Sequence, residues 1–141
     1  VVVPLAARFA PEAVVITCGT DALAGDPLSR MALSNGALWH AVARLIGFSG
    51  PAVVLGGGGY NPWTLARGWT GLWGRLSGRE IPVVLPADAQ IILRSLACDL
   101  IDDEDVEPAW LETLADAPRP GPVRPAVRVL AAEGRAAHGM A

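Results

Sequence analysis

The sequence predicts an α/β fold, a parallel sheet flanked by helices, on three observations. Two short apolar runs rich in β-branched residues each end in glycine, at Gly19 and at Gly56. Each is followed by a loop and then by apolar residues at helical spacing. Both helical stretches open on a good N-cap, Ser34 and Asn61, and Pro62 stands at the first helical position of the second.

The first run is Ala13 to Cys18, apolar on both faces, which suits a parallel strand covered by helices on each side. Gly19 to Leu33 reads as a loop, broken by Gly25, Asp26 and Pro27. The helix after Ser34 would turn Leu38, Val42, Leu45 and Ile46 inward, and Gly47 with the Ser49-Gly50-Pro51 cluster stops it. The second run, Ala52 to Leu55, leads into Gly56-Gly57-Gly58-Gly59-Tyr60. The helix beyond it would present Leu65, Trp69, Leu72, Trp73 and Leu76 on one side. The crossover of such a βαβα unit should be right-handed.

Past residue 78 the pattern weakens. Residues 86–100 fit a helix carrying Ile91, Ile92, Leu96 and Leu100, and 108–116 a shorter one around Trp110 and Leu114. Asp102-Asp103-Glu104-Asp105 reads as a solvated helix end or loop. Pro118 to Pro125 holds four prolines, so 1–117 reads as the domain and 118–141 as a Pro-rich, mobile tail.

A length of 141 residues suits one domain. Hydrophobic residues make up 52% and the mean hydropathy is +0.38, yet no apolar run is long enough to span a bilayer. The opening Val1-Val2-Val3-Pro4 has no basic n-region and no initiator Met and resembles neither a signal peptide nor a natural start, so the chain is expected to begin partway through a protein. A net charge of −3, spread along the chain, points to no nucleic acid and no membrane surface as partner. All eleven basic residues are arginines, which excludes a Schiff-base lysine and a phosphate-loop lysine. Cys18 and Cys98 form no CxxC pair and fit a reducing, cytoplasmic setting; Cys18, within a strand, reads as a buried inert thiol.

Parallel sheets place their sites at the carboxyl ends of their strands. Both loops of interest fall there. Asp21, just past the first strand, is by position either a loop-fixing or capping residue, or a metal or catalytic group. Four consecutive glycines give up much chain entropy on folding, so Gly56 to Gly59 should bring backbone close to a ligand or to another segment. A dinucleotide cradle does not fit, because the last glycine of GxGxxG is missing after this run. His40 falls on a helix flank and His138 in the tail, and neither has a second ligand at metal spacing.

Taken together these residues resemble a known family. Pro11 to Leu28 is similar to the histone-deacetylase segment ending C-G-A-D-x-L-x-G-D-x-L, and Pro51 to Trp69 to that family's L-G-G-G-G-Y-x-x-x-x-x-A-R-x-W motif, at matching separation. The resemblance is strong over residues 8–80 and weak over 81–128. Gly25 to Leu28, Leu114 to Asp116 and Gly121 to Arg124 look more like the bacterial acetoin-utilisation-type branch than the eukaryotic nuclear enzymes.

What the resemblance implies is the C-terminal part of an arginase–deacetylase type fold and a zinc-dependent hydrolase of acyl-lysine-like amides. Asp21 matches a zinc ligand and Tyr60 the catalytic tyrosine. Leu28 and Gly58 match positions lining the acyl-lysine tunnel, Gly58 leaving room for a slim chain. Gly56, Gly57 and Gly59 would shape the loop that aims Tyr60. Thr20 stands where the family more often has alanine; Trp63 and Trp69 are better read as helix packing. The paired histidines and the Asp-x-His that complete a single shared zinc site have no counterpart here, so this chain alone is expected to be inactive. The implied partners are an acetylated lysine or small acetylated amine and the rest of the same domain. A non-catalytic remnant or interaction module is the competing reading.

Overall fold

The computed structural model describes residues 1–48 and 50–140. Two strands, β1 (Val14–Cys18) and β2 (Ala52–Gly56), pair in parallel with Val14 opposite Ala52 and Cys18 opposite Gly56. Helix α2 (Asn35–Ile46) connects them, and α3 (Pro62–Leu76) follows β2. The expected caps close both helices: Ser34 Oγ accepts from the Ala37 amide, and Asn61 Oδ1 accepts from the Trp63 and Thr64 amides at 3.0 and 3.1 Å.

An element not foreseen precedes β1. Val2–Phe9 forms α1, which packs on α2 and ends where Ala10 turns left-handed, at φ 49°, ahead of Pro11. After α3 come α4 (Ala87–Arg94), a 3-10 turn at Asp103–Asp105, α5 (Pro108–Glu112) and α6 (Pro125–Ala137). Helix α6 falls within the stretch expected to be a mobile tail. The reason is local: beyond Pro125 the prolines cease and Ala, Arg and Leu, all good helix formers, take over. Helix α6 touches α1, where the Arg8 guanidinium donates to the His138 carbonyl.

The core gathers Trp39, Val42, Trp63, Leu72, Leu85, Leu93, Trp110 and Leu114 on one face of the sheet, with Ile16, Cys18 and Val54 packed against it. Helices were expected on both faces. In this chain Val15 and Val53 point the other way and are 66% and 52% exposed.

The inward stripes also differ from those read by hydrophobicity. On α3 the buried positions are Trp63, Thr64, Arg67, Gly68, Gly71, Leu72 and Gly74, whereas Leu65, Trp73 and Leu76 are exposed. Glycine at position 71 lets the Trp39 ring lie against the helix, since a Cβ there would stand 1.9 Å from Trp39 Cζ2. Trp39 Nε1 then donates to the Gly68 carbonyl at 2.8 Å. On α4 Leu93 is the buried residue, while Ile91 and Ile92 face outward. Trp63 stacks on Trp110 and donates from Nε1 to the Leu93 carbonyl, which joins α3 to α4 and α5.

Candidate functional site at the strand ends

The two strands deliver their loops to one place. Beyond Cys18 and Gly56 the main chains come into contact, with the Thr20 amide donating to the Gly58 carbonyl at 2.7 Å. Glycine is required on both sides of this approach. A Cβ on Gly19 would lie 2.5 Å from Gly58 N and from Asp21 Oδ1, and one on Gly57 would lie 2.8 Å from Gly19 N.

Asp21 is half-buried, and its carboxylate lies against Gly58. A Cβ at position 58 would meet Asp21 Cγ and Oδ2 at 2.9 Å, so the space this glycine leaves is filled by the carboxylate. Two residues on stands Tyr60, 47% exposed. Gly59 between them has φ +145°, and a Cβ there would sit 2.0 Å from Thr20 Oγ1. Thr20 is itself buried, and its hydroxyl finds no hydrogen-bond partner among the described residues. Gly56, by contrast, has only the Trp69 ring near its missing Cβ.

A second set of bonds fixes the loop around residues 25–28. Asp26 and Asn61, both buried, tie that loop to the Tyr60 loop, and Asn61 Nδ2 donates to the Gly25 carbonyl at 2.9 Å. Leu28 is exposed at the rim of this arrangement. The Cys98 thiol, brought in by the chain beyond α4, donates to the Tyr60 carbonyl at 3.7 Å.

The structure therefore brings Asp21, Gly57, Gly58, Gly59 and Tyr60 together, with Leu28 joined to them through Asp26. His40 is exposed on α2, lining a cavity of about 600 Å³ with Trp39, Arg75 and Asp116, and His138 caps the far end of α6. Among the described residues no group of three or more His, Cys, Asp or Glu side chains is disposed to hold a metal. Asp21 supplies one carboxylate of the kind zinc accepts, at a strand end with backbone packed behind it, and fits as one ligand of a larger set.

Sequence reasoning passed over the charged group buried deepest. Arg67 is 2% exposed; its Nη2 lies 2.8 Å from Asp116 Oδ1 and its Nε donates to the Thr113 carbonyl at 2.6 Å. Asp116 in turn accepts from the Asn35 amide and donates its own amide to Asn35 Oδ1. The available signal was spacing: Trp63, Arg67 and Gly71 recur every four residues along α3.

A parallel sheet whose strand-end loops carry an acid and a tyrosine beside a glycine run defines a class, the α/β folds whose sites lie at the strand carboxyl ends. The family is more specific. A histone deacetylase domain model matches residues 1–76, more than half of the chain, and the chain belongs to the histone deacetylase family. Histone deacetylase clr6 of Schizosaccharomyces pombe is 44% identical over 78 residues, covering 55% of this chain and 19% of that protein. Histone deacetylase 8 of Danio rerio is 38% identical over 80 residues, covering 57% and 21%. Among solved structures, an HDAC homolog from Aquifex aeolicus superposes with a TM-score of 0.80 at 42% identity, over 89% of this chain and 34% of that one. An HDAC homolog complexed with SAHA matches with a TM-score of 0.76 at 38% identity and the same coverage. The fold is of the arginase–deacetylase type, and the chain spans about a fifth of the length of these curated relatives.

Proposed function

We propose that this chain carries part of the catalytic apparatus of a zinc-dependent hydrolase that removes acetyl or other acyl groups from lysine-like amines. The observation that carries the reading is the contact of the two strand-end loops, which sets the Asp21 carboxylate against Gly58, two residues from Tyr60. The chemistry supplied by a bound zinc ion is polarisation of the amide carbonyl and acidification of a water. Asp21 would hold one side of that ion, while the Tyr60 hydroxyl would donate to the oxygen on which charge develops. Leu28 and Gly58 would border the acyl-lysine-like chain. The remaining zinc ligands and the general base would come from a complementary segment of the same domain.

Placement in the acetoin-utilisation-type branch rests on Gly25 to Leu28 and on the 114–116 and 121–124 segments. A cytoplasmic setting is supported by Cys18 and Cys98, both free thiols.

The test uses the natural open reading frame that encodes this chain. Purified protein is assayed for zinc content and for acetate release from an acetyl-lysine peptide, an acetylated polyamine and a small acyl amide. Tyr60→Phe should lower turnover by about 10²- to 10³-fold while zinc stays bound, and Asp21→Asn should lower the zinc content. Full turnover in Tyr60→Phe, or a folded protein that takes up no zinc and cleaves none of the three, would leave the non-catalytic reading in its place.

A further inference from the structure

Asp26 carries no role in the chemistry proposed above, yet with Asn61 it joins the two loops. It is 6% exposed, and its two oxygens serve different partners. Oδ1 accepts from the Leu28 amide at 2.9 Å, and Oδ2 accepts from the Tyr60 amide at 2.8 Å, across 34 positions of sequence. Hydrogen bonds from backbone amides to a carboxylate are shorter and stronger than those between neutral groups.

The neighbouring pair repeats the tie. Asn61 donates to the Gly25 carbonyl while its Oδ1 caps α3, so residues 25–26 are locked to residues 60–61 at the start of a helix. Tyr60 is 47% exposed, so its side chain gains little from packing. Its direction is therefore set by the main chain, and the main chain is set by Asp26 at the amide and Cys98 at the carbonyl.

We propose that Asp26 is a positioning residue for the reaction. One carboxylate holds the backbone of Tyr60 and of Leu28, so the hydroxyl that meets the oxyanion and the apolar side chain beside the acyl chain keep a fixed separation. The role rests on the deacylase reading of those two residues. Displacement of a catalytic donor by about 1 Å is enough to cost about a hundredfold in rate.

Asp26→Asn keeps the shape but offers one acceptor, and its amide nitrogen confronts one of the two N–H groups. In the full natural protein it should lower kcat about ten- to a hundredfold. Introduced beside Tyr60→Phe, it should lower the residual kcat by no more than about twofold, because the group it positions is gone. A purely structural role would lower both backgrounds by the same factor, and that result would overturn the proposal.

A second measurement needs neither activity nor a folded variant. Amide hydrogen exchange of the unsubstituted protein should show Tyr60 and Leu28 protected to the same degree, since one carboxylate holds both. Exchange of the Tyr60 amide at the unprotected rate would overturn the positioning role whatever the enzyme does. A wild-type protein indifferent to Tyr60→Phe, with both amides protected, would instead overturn the deacylase reading and the catalytic consequence of the clamp with it.

Discussion

Arg67 and Asp116 form a buried ion pair, 2.8 Å apart, between the middle of α3 and the segment that follows α5. Asn35 completes it from the start of α2, exchanging hydrogen bonds with the main chain and side chain of Asp116. Three parts of the chain separated by up to 81 positions thus meet at Asp116. Removing one partner of such a pair leaves an uncompensated buried charge, which costs more than the pair itself contributes. Asp116→Ala should destabilise the chain by about 3 kcal/mol or more, measured by urea unfolding. The double variant Arg67→Met with Asp116→Ala, which leaves no lone charge, should recover a large share of that loss.

Much of the fold was legible because it is written locally. Ser34 and Asn61 act on amides within three residues of themselves, Pro62 fixes its own φ at the first helical position, and the two β-branched runs need only each other to pair. The approach of the two loops was legible in the same way, since Gly56 to Gly59 is an unusual concentration of chain freedom. The α3 stripe was not. Gly68 and Gly71 carry no hydrophobic signal, and what lies against them is remote in sequence, Thr20 and Leu23 at Gly68 and the Trp39 ring at Gly71. Arg67 was passed over for the same physical reason: its partners at Thr113 and Asp116 are remote, and without them an arginine reads as a surface residue. Asp26 reads as a turn residue until Tyr60 is placed beside it.

That contrast predicts opposite outcomes for two helical glycines. Gly71→Ala forces a Cβ to within 1.9 Å of the Trp39 ring and should disrupt its bond to the Gly68 carbonyl. A loss of about 1–3 kcal/mol is expected, with a shift in tryptophan emission. Gly36→Ala in α2 meets nothing within 4 Å and should be neutral or stabilise by up to about 1 kcal/mol. Thermal unfolding of the two proteins side by side decides the matter, and equal effects would contradict the packing described for Trp39.

Thr20 presents a hydroxyl that is buried without a hydrogen-bond partner among the described residues. Burial of an unpaired hydroxyl is unfavourable by about 1–3 kcal/mol. Thr20→Ala should therefore leave stability unchanged or raise it, although it removes buried atoms. It should also soften the Gly59→Ala substitution, by relieving the 2.0 Å approach to Oγ1 but not the strain of φ +145°. A Thr20→Ala chain that unfolds at markedly lower urea would show that the hydroxyl is satisfied in solution, by a bound water for instance.

Burial pushes the Cys18 thiol above the ordinary thiol range. The folded protein then keeps this proton at pH values where the unfolded chain gives it up. The corresponding stability is fully present below about pH 8.5 and is lost as the pH climbs through the raised value. Unfolding midpoints measured from pH 7 to pH 10.5 should fall at the alkaline end, and Cys18→Ala should flatten that limb. Alkylation by iodoacetamide, followed by mass spectrometry of the peptide containing Cys18, should be slow at pH 7.5.

The face of the sheet turned away from the core carries Val15, Val53 and Leu55, 66%, 52% and 47% exposed. Apolar side chains in register on a two-stranded parallel sheet, with strand edges beside them, favour association of one chain with another. In this chain by itself Val53→Lys should reduce light scattering at high concentration and change stability by no more than about 0.5 kcal/mol, because nothing is packed there to disturb. The full natural protein should respond in the opposite sense. If a complementary part of the domain covers this face, the same lysine is buried without a partner, and destabilisation of about 2 kcal/mol or more follows. Comparing one substitution in the two contexts thus measures whether the face is an outer surface or an interior one, by unfolding alone and without reference to activity.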